Sequence, residues 1–167
     1  AFPITPQTEI IESLAKWIEE GAMDARFVTM DSEHSMMTAA GAASATGVRV
    51  FTATSSQGLL YSFEMLYTVA GWRVPLVMVN VSRGVSAPIT LEADHNDILA
   101  ARDCGFLQIH CETCQEVLDS ILMAYKIALA MGLPSDWRET IPKLATVVGG
   151  AFLWRQLARQ LIGLIPA

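Results

Sequence analysis

Between residues 51 and 84 the chain reads FTATSSQGLLYSFEMLYTVAGWRVPLVMVNVSRG. Four hydroxyls, Thr52, Thr54, Ser55 and Ser56, close one apolar run, and a lone Arg83 follows the next. Small polar groups at such places are how an α/β sheet presents itself to a ligand, because ligands bind in the crevice beyond the carboxyl ends of parallel strands. Two other segments have the same character. In PITP (3–6), Pro3 and Pro6 restrict the backbone on either side of Thr5, and DSEH (31–34) sets Asp31 and Glu33 at a helix start, where either carboxylate suits the helix dipole. Other chemistry is poorly supported. His34, His95 and His110 include no pair at the i, i+4 spacing of a helical metal site. CETC (111–114) has C-x-x-C spacing, but the chain holds 3 cysteines, too few for a four-thiolate cluster, and two small residues at a strand–helix junction are the simpler reading.

The elements that must position these groups follow from periodicity. Ile10, Leu14, Trp17 and Ile18 recur at helical spacing and predict a helix over 7–20 that Gly21 can stop. RFVTM (26–30) reads as a short strand, Ser32 as the cap of a helix ending at Gly47, VRVFTAT (48–54) as a strand and 56–70 as a helix. VPLVMVNV (74–81) is so uniformly apolar that a strand covered on both faces explains it, the mark of a parallel sheet. A polar loop (82–104), a strand GFLQIH and a helix from Cys114 complete the alternation. The expected fold is α/β, a parallel sheet with helices on both faces joined by right-handed crossovers.

Composition limits the function. A chain of 167 residues, 52% hydrophobic, suits one domain. A net charge of −6 with only 11 Lys and Arg argues against nucleic-acid binding. No apolar run approaches the roughly 18 residues of a membrane span; 144–154 and 74–81 read as buried elements. The opening AFPITP carries neither Met nor a basic leader, which suggests a trimmed or fragmentary start, and the cysteine count fits a reducing intracellular compartment.

FPITPQTEI, DSEHSMMTAAGAASATGVRVFTATSSQGL, VMVNVSRGVSAP, DHND and ARDCGFLQ, in this order from about Phe2 to Met131, resemble the N-terminal thiamin-diphosphate domain of the 2-oxoacid:ferredoxin oxidoreductases. The pyruvate:ferredoxin oxidoreductase α subunit is the nearest type. The resemblance implies a pyrimidine-type thiamin-diphosphate-binding domain over 1–131. Glu33 matches the acid that hydrogen-bonds ring N1′ of the aminopyrimidine and favours the imino tautomer that deprotonates C2. Arg83 matches the arginine that receives the 2-oxoacid carboxylate with a planar fork of donors, the alternative being an ordinary surface arginine. Thr5 matches a threonine at the reacting centre, a role compatible with capping the first helix. Thr54, Ser55, Ser56 and Gln57 match cofactor neighbours, with helix capping as the alternative, Gly58 permits close approach, and His95 supports at most.

Also implied are decarboxylation of pyruvate to an acyl group on coenzyme A, electrons passing to ferredoxin, and a cytoplasmic place in anaerobic metabolism. Mg²⁺ and iron–sulfur clusters are expected on the β and iron–sulfur partner subunits, so this chain alone should not turn over. A branched-chain 2-oxoacid, 2-oxoglutarate or oxalate would change only the substrate; a noncatalytic subunit-binding remnant is the reading from another class. After Met131 the family pattern should continue with a strand and a DG loop of the type PVMVFLDGF. Residues 132–167 depart from it, as a truncated gene, a shifted frame or a divergent fragment would, although they can belong to the same domain. The expected results are an open sheet edge and an amphipathic final helix bearing Leu153, Leu157, Leu161 and Leu164, which could cover that edge or drive association.

Overall fold

The computed structural model describes residues 1–86, 88, 90–130 and the backbone of 145–150. In chain order the elements are α1 (Thr8–Glu19), α2 (Glu33–Ala45), β1 (Val50–Thr54), α3 (Ser56–Tyr61), α4 (Phe63–Trp72), β2 (Leu76–Ser82), α5 (Asn96–Ala100), β3 (Leu107–Cys111), α6 (Cys114–Ala130) and β4 (Ala145–Gly150). The described strands form one parallel sheet in the order β1-β2-β4-β3. All seven residues of β2 are buried, as its apolar sequence requires of a strand covered on both faces.

Alternation along β2 divides the core in two. Leu76 and Met78 pack with Met37, Leu59, Leu66, Val69 and Ile98, from α2 to α5, on one face. Val77, Val79 and Val81 pack with Ile10 and Ile11 of α1 and Cys114, Val117 and Ala124 of α6 on the other. Each fully buried Leu or Met contributes about 1.5–3 kcal/mol by the apolar area removed from water. Helix α2 lies tight on α4: a β-carbon added at Gly41 would stand 2.5 Å from Val69 Cγ2, so only glycine allows that approach.

The helix ends have local causes. The Ser32 hydroxyl accepts the Ser35 N–H (3.2 Å) and starts α2. At α6 the Thr113 hydroxyl accepts the Glu116 N–H (3.2 Å) while the Glu116 carboxylate accepts from Glu112 N (2.6 Å) and Thr113 N (3.1 Å), a reciprocal capping box. Thr5 does not cap α1, whose N-cap position is Gln7, without a side-chain cap bond.

Several expectations change. RFVTM (26–30) joins no ladder; it runs beside Ala1, whose amine donates to Val28 O and whose carbonyl accepts from Met30 N, and a single-residue partner cannot propagate a sheet. The helix over 56–70 is divided at Ser62, whose hydroxyl donates to Leu59 O (2.9 Å), a back-bond that bends helices. The polar loop 82–104 contains α5. The open edge after Met131 is not found where it was expected. β4 supplies the next strand and sits between β2 and β3, with Met78 opposite Thr146 and Leu107 opposite Ala145, because its apolar, β-branched ATVV run suits a strand with two neighbours. The helix expected over 153–164 lies outside the described residues.

Tyr125 of α6 donates its hydroxyl to Val50 O (2.9 Å), tying that helix to the start of β1. Burial pushes its phenol up from 10.0 to about 12, opposed by the charge of Arg49. A raised folded value means that the contribution is whole below pH 10 and is lost as pH climbs through about 12. Urea denaturation across that alkaline window should show stability falling, and Tyr125→Phe should remove this part of the slope; an unchanged slope would show that the phenol carries none of it.

Candidate functional site

Because the sheet is parallel, its strands deliver their carboxyl ends to one side, and β1 and β2 deliver them in register, Thr54 opposite Asn80. The segment Ser55–Gln57 leaves β1 there and Arg83 leaves β2. Asp97, at the start of α5, accepts hydrogen bonds from Ser56 in the first segment and from Asn80 near the end of β2.

The hydroxyls divide into two groups. Ser55 sits at the N-cap position of α3 but makes no side-chain cap bond; its hydroxyl donates to Val81 O (2.7 Å). The Ser56 hydroxyl lies 2.8 Å from Gly84 O and 2.7 Å from Gln57 Oε1, one proton between two acceptors. These serines therefore tie the segment after β1 to the main chain at the end of β2 and just beyond it. Thr52 Oγ1, Thr54 Oγ1 and Gln57 Nε2 are buried with no hydrogen-bond partner among the described residues. Thr52 lies within β1, but Thr54 and Gln57 stand at its end beside the equally unpartnered Asn80 Oδ1, and since buried polar atoms normally have partners, these orphans mark a place for a ligand's own donors and acceptors.

Glu33 occupies the first turn of α2 and is 6% exposed, and its carboxylate accepts no hydrogen bond from the described residues. Its position depends on Gly58 in α3. A β-carbon at Gly58 would stand 2.6 Å from Glu33 Oε1 and 2.6 Å from Thr54 Oγ1. The absence of a side chain thus opens the cradle in which a carboxylate and a hydroxyl converge. Arg83 is 7% exposed; Nη1 donates to Thr90 O (3.2 Å), Nε has no partner, and no carboxylate pairs with the guanidinium among the described residues. A buried ion without a counter-ion costs several kcal/mol, so both charges stand ready for groups that the described residues do not supply. The ordinary-surface reading of Arg83 does not fit this burial.

Thr5 is exposed, its bond to Pro6 is cis, and it makes no hydrogen bond to the groups above. His95 is exposed, its ring 6.0 Å from that of His110, and no cluster of three metal-ligating side chains occurs among the described residues. Burial pushes the Cys104 and Cys111 thiols up, and the Cys111 Sγ lies 3.3 Å from Ser120 Oγ. No helix among the described residues is long and apolar enough to cross a membrane.

Sequence reasoning missed three fully buried polar residues: Gln7, whose Nε2 donates to Phe2 O (2.8 Å), Asn80 and Asp97. The available signals were an asparagine inside the apolar VMVNV and an acid at the end of DHND.

A doubly covered parallel sheet with orphaned polar groups at the ends of its strands defines an α/β ligand-binding domain. Residues 1–135 match the family described as pyruvate flavodoxin/ferredoxin oxidoreductase, thiamine-diphosphate-binding, and the chain belongs to that family. It is 52% identical over 128 residues to the pyruvate synthase subunit PorA of Methanocaldococcus jannaschii, covering 77% of this chain and 33% of that one. To the ketoisovalerate oxidoreductase subunit VorA of Pyrococcus abyssi it is 45% identical over 166 residues, 99% of this chain and 39% of that one, so similarity there reaches beyond Met131. The chain thus spans about a third of the length of the curated relatives it matches. Among solved structures, the 2-oxoglutarate:ferredoxin oxidoreductase of Magnetococcus marinus has the same fold, with a TM-score of 0.72 at 22% identity over 90% of this chain and 25% of that one.

Gly58→Ala should raise helix propensity by about 1 kcal/mol while driving a methyl into the Glu33 cradle. The end of Glu33 can yield, but the Thr54 hydroxyl, 2.6 Å away on a fully buried β-branched side chain, yields less readily, so the variant should lose about 1–3 kcal/mol while the Glu33 carboxylate moves. A crystal structure of the variant beside a denaturation curve tests this; an unmoved carboxylate would show that the space is not limiting.

Proposed function

We propose that this chain is the thiamin-diphosphate-binding part of the α subunit of a pyruvate:ferredoxin oxidoreductase, or pyruvate synthase, active only with partner subunits. Residues 1–131 form the pyrimidine-type domain, and 132–167 belong to it through β4. The complex would convert a 2-oxoacid and coenzyme A to acyl-CoA, carbon dioxide and two electrons for ferredoxin, in the cytoplasm of an anaerobic metabolism. The observation that carries this reading is the buried carboxylate of Glu33, without a donor among the described residues and converging with Thr54 over Gly58.

The orphaned atoms suit an aminopyrimidine, a flat ring with both donors and acceptors. Glu33 would share a proton with its ring nitrogen, and Thr54 and Gln57, with Ser55 and Ser56 bracing the loop, would hold its rim. When bound, thiamin diphosphate supplies a nucleophilic carbon and an electron sink for decarboxylation. Arg83 would meet the 2-oxoacid carboxylate, since its guanidinium is buried and has no counter-ion among the described residues. Thr5 would join from the exposed PITP turn to contact substrate at the reacting centre. The Mg²⁺ that holds the diphosphate and the iron–sulfur clusters would lie on the partner subunits. A branched 2-oxoacid is the second reading for the substrate, supported by the ketoisovalerate-type relative that matches 99% of the chain.

The test is co-expression with a β subunit and the iron–sulfur partner, followed by coenzyme A-dependent reduction of a low-potential dye with pyruvate and with a branched 2-oxoacid. Glu33→Ala should lower kcat by at least about 100-fold in an assembled complex. Arg83→Ala should raise the KM for the 2-oxoacid by about 100-fold while thiamin affinity stays within about threefold. A Glu33→Ala complex as active as wild type would sink the assignment, and equal losses of substrate and thiamin affinity in Arg83→Ala would sink the role given to the arginine.

A further inference from the structure

We propose that Asp97 is a positioning residue that clasps the segment after β1 to the end of β2 and thereby holds the residues on both sides of Arg83. The proposal rests on the reading of Arg83 given above. Asp97 is fully buried. Its Oδ2 accepts from Ser56 N (2.9 Å) and from Asn80 Nδ2 (2.9 Å), and its Oδ1 accepts from Ile98 N (2.7 Å). No lysine, arginine or histidine among the described residues forms an ion pair with it. A buried carboxylate held by N–H donors alone acts as an assembly point: it gathers donors from segments far apart in sequence.

Both arms end beside Arg83. Along one, Asn80 Nδ2 also donates to Ser82 Oγ (2.8 Å), the residue before the arginine. Along the other, Ser56, whose amide Asp97 holds, places its hydroxyl 2.8 Å from the carbonyl of Gly84, the residue after it. Ser56 has φ of +45°, in the region that favours glycine, and a serine stays there only where its surroundings over-determine it. The bond from its amide to Asp97 and that from its hydroxyl to Gly84 do so.

Asp97→Asn isolates this role because it preserves shape. Three N–H groups converge on two carboxylate oxygens, whereas an amide has one oxygen and one NH₂, so at least one donor must face another donor. In the assembled complex, amide exchange should rise by about tenfold or more in peptides covering 55–58 and 80–84 and stay level in α4 and α6. The KM for the 2-oxoacid should rise about tenfold with kcat within about threefold of wild type. Because Asp97 acts through Arg83, the same change made in an Arg83→Ala background should add less than about threefold to KM.

A KM effect of equal size in both backgrounds, or exchange raised evenly through the chain, would overturn the proposal. Should Asp97→Asn fail to assemble, Ser56→Ala cuts the arm to Gly84, together with the contact to Gln57, leaves the amide bond to Asp97, and should show a smaller KM rise, again masked by Arg83→Ala; an unmasked rise overturns the clasp. An assembled wild-type complex without activity would count against the function proposed above, and the exchange comparison would then decide the clasp by itself, unchanged exchange at 55–58 and 80–84 overturning it.

Discussion

Everything at this site depends on one constraint: polar groups placed at the ends of buried strands must find partners, and the fold decides which of them do. Thr54 and Asn80 face each other across β1 and β2 where apolar strand gives way to polar loop. The Asn80 side-chain NH₂ and the hydroxyls of the two serines after Thr54 are satisfied within the protein, by Asp97, by Ser82 and by the carbonyls of Val81 and Gly84. Those bonds weld two loops into one rigid edge. The atoms left without a partner among the described residues, Thr54 Oγ1, Gln57 Nε2, Asn80 Oδ1 and Arg83 Nε, are held by that edge without being used by it.

Charge follows the same logic. Glu33 and Arg83 are both buried and of opposite sign, yet they form no ion pair with each other. Pairing would relieve part of the cost of burying each, so keeping them apart leaves two separate requirements, a donor for the carboxylate and an anion for the guanidinium. A thiamin ring and a 2-oxoacid meet those requirements in kind, which is why membership of a thiamine-diphosphate-binding family and the local chemistry agree. Glycine has a matching part: Gly41 lets α2 lie close on α4, and Gly58 leaves room for the acid that α2 carries.

Much of this was legible in one dimension. The uniform apolarity of 76–81 announced a doubly covered parallel strand, Ser32 announced a helix start, and the order of short motifs announced the family. Local signals misled where the outcome depended on neighbours. RFVTM has strand composition but, among the described residues, pairs its backbone along its length with Ala1 alone, and the hydroxyls of 54–56 look equivalent as letters although two are consumed by the main chain and one is not. Asp97 resembled any polar loop residue.

The sequence by itself determined the α/β class, the two-sided cover of the sheet and the residue types at the strand ends, because periodicity and capping act over a few residues. Only the tertiary structure decided that 145–150 enters the sheet between β2 and β3, that Asp97 is a fully buried acceptor, and which polar atoms stay unpaired. The reason is separation along the chain. Ser55 meets Val81 across 26 residues and Ser56 meets Asp97 across 41, so these bonds exist only once strand order and register bring the loops together.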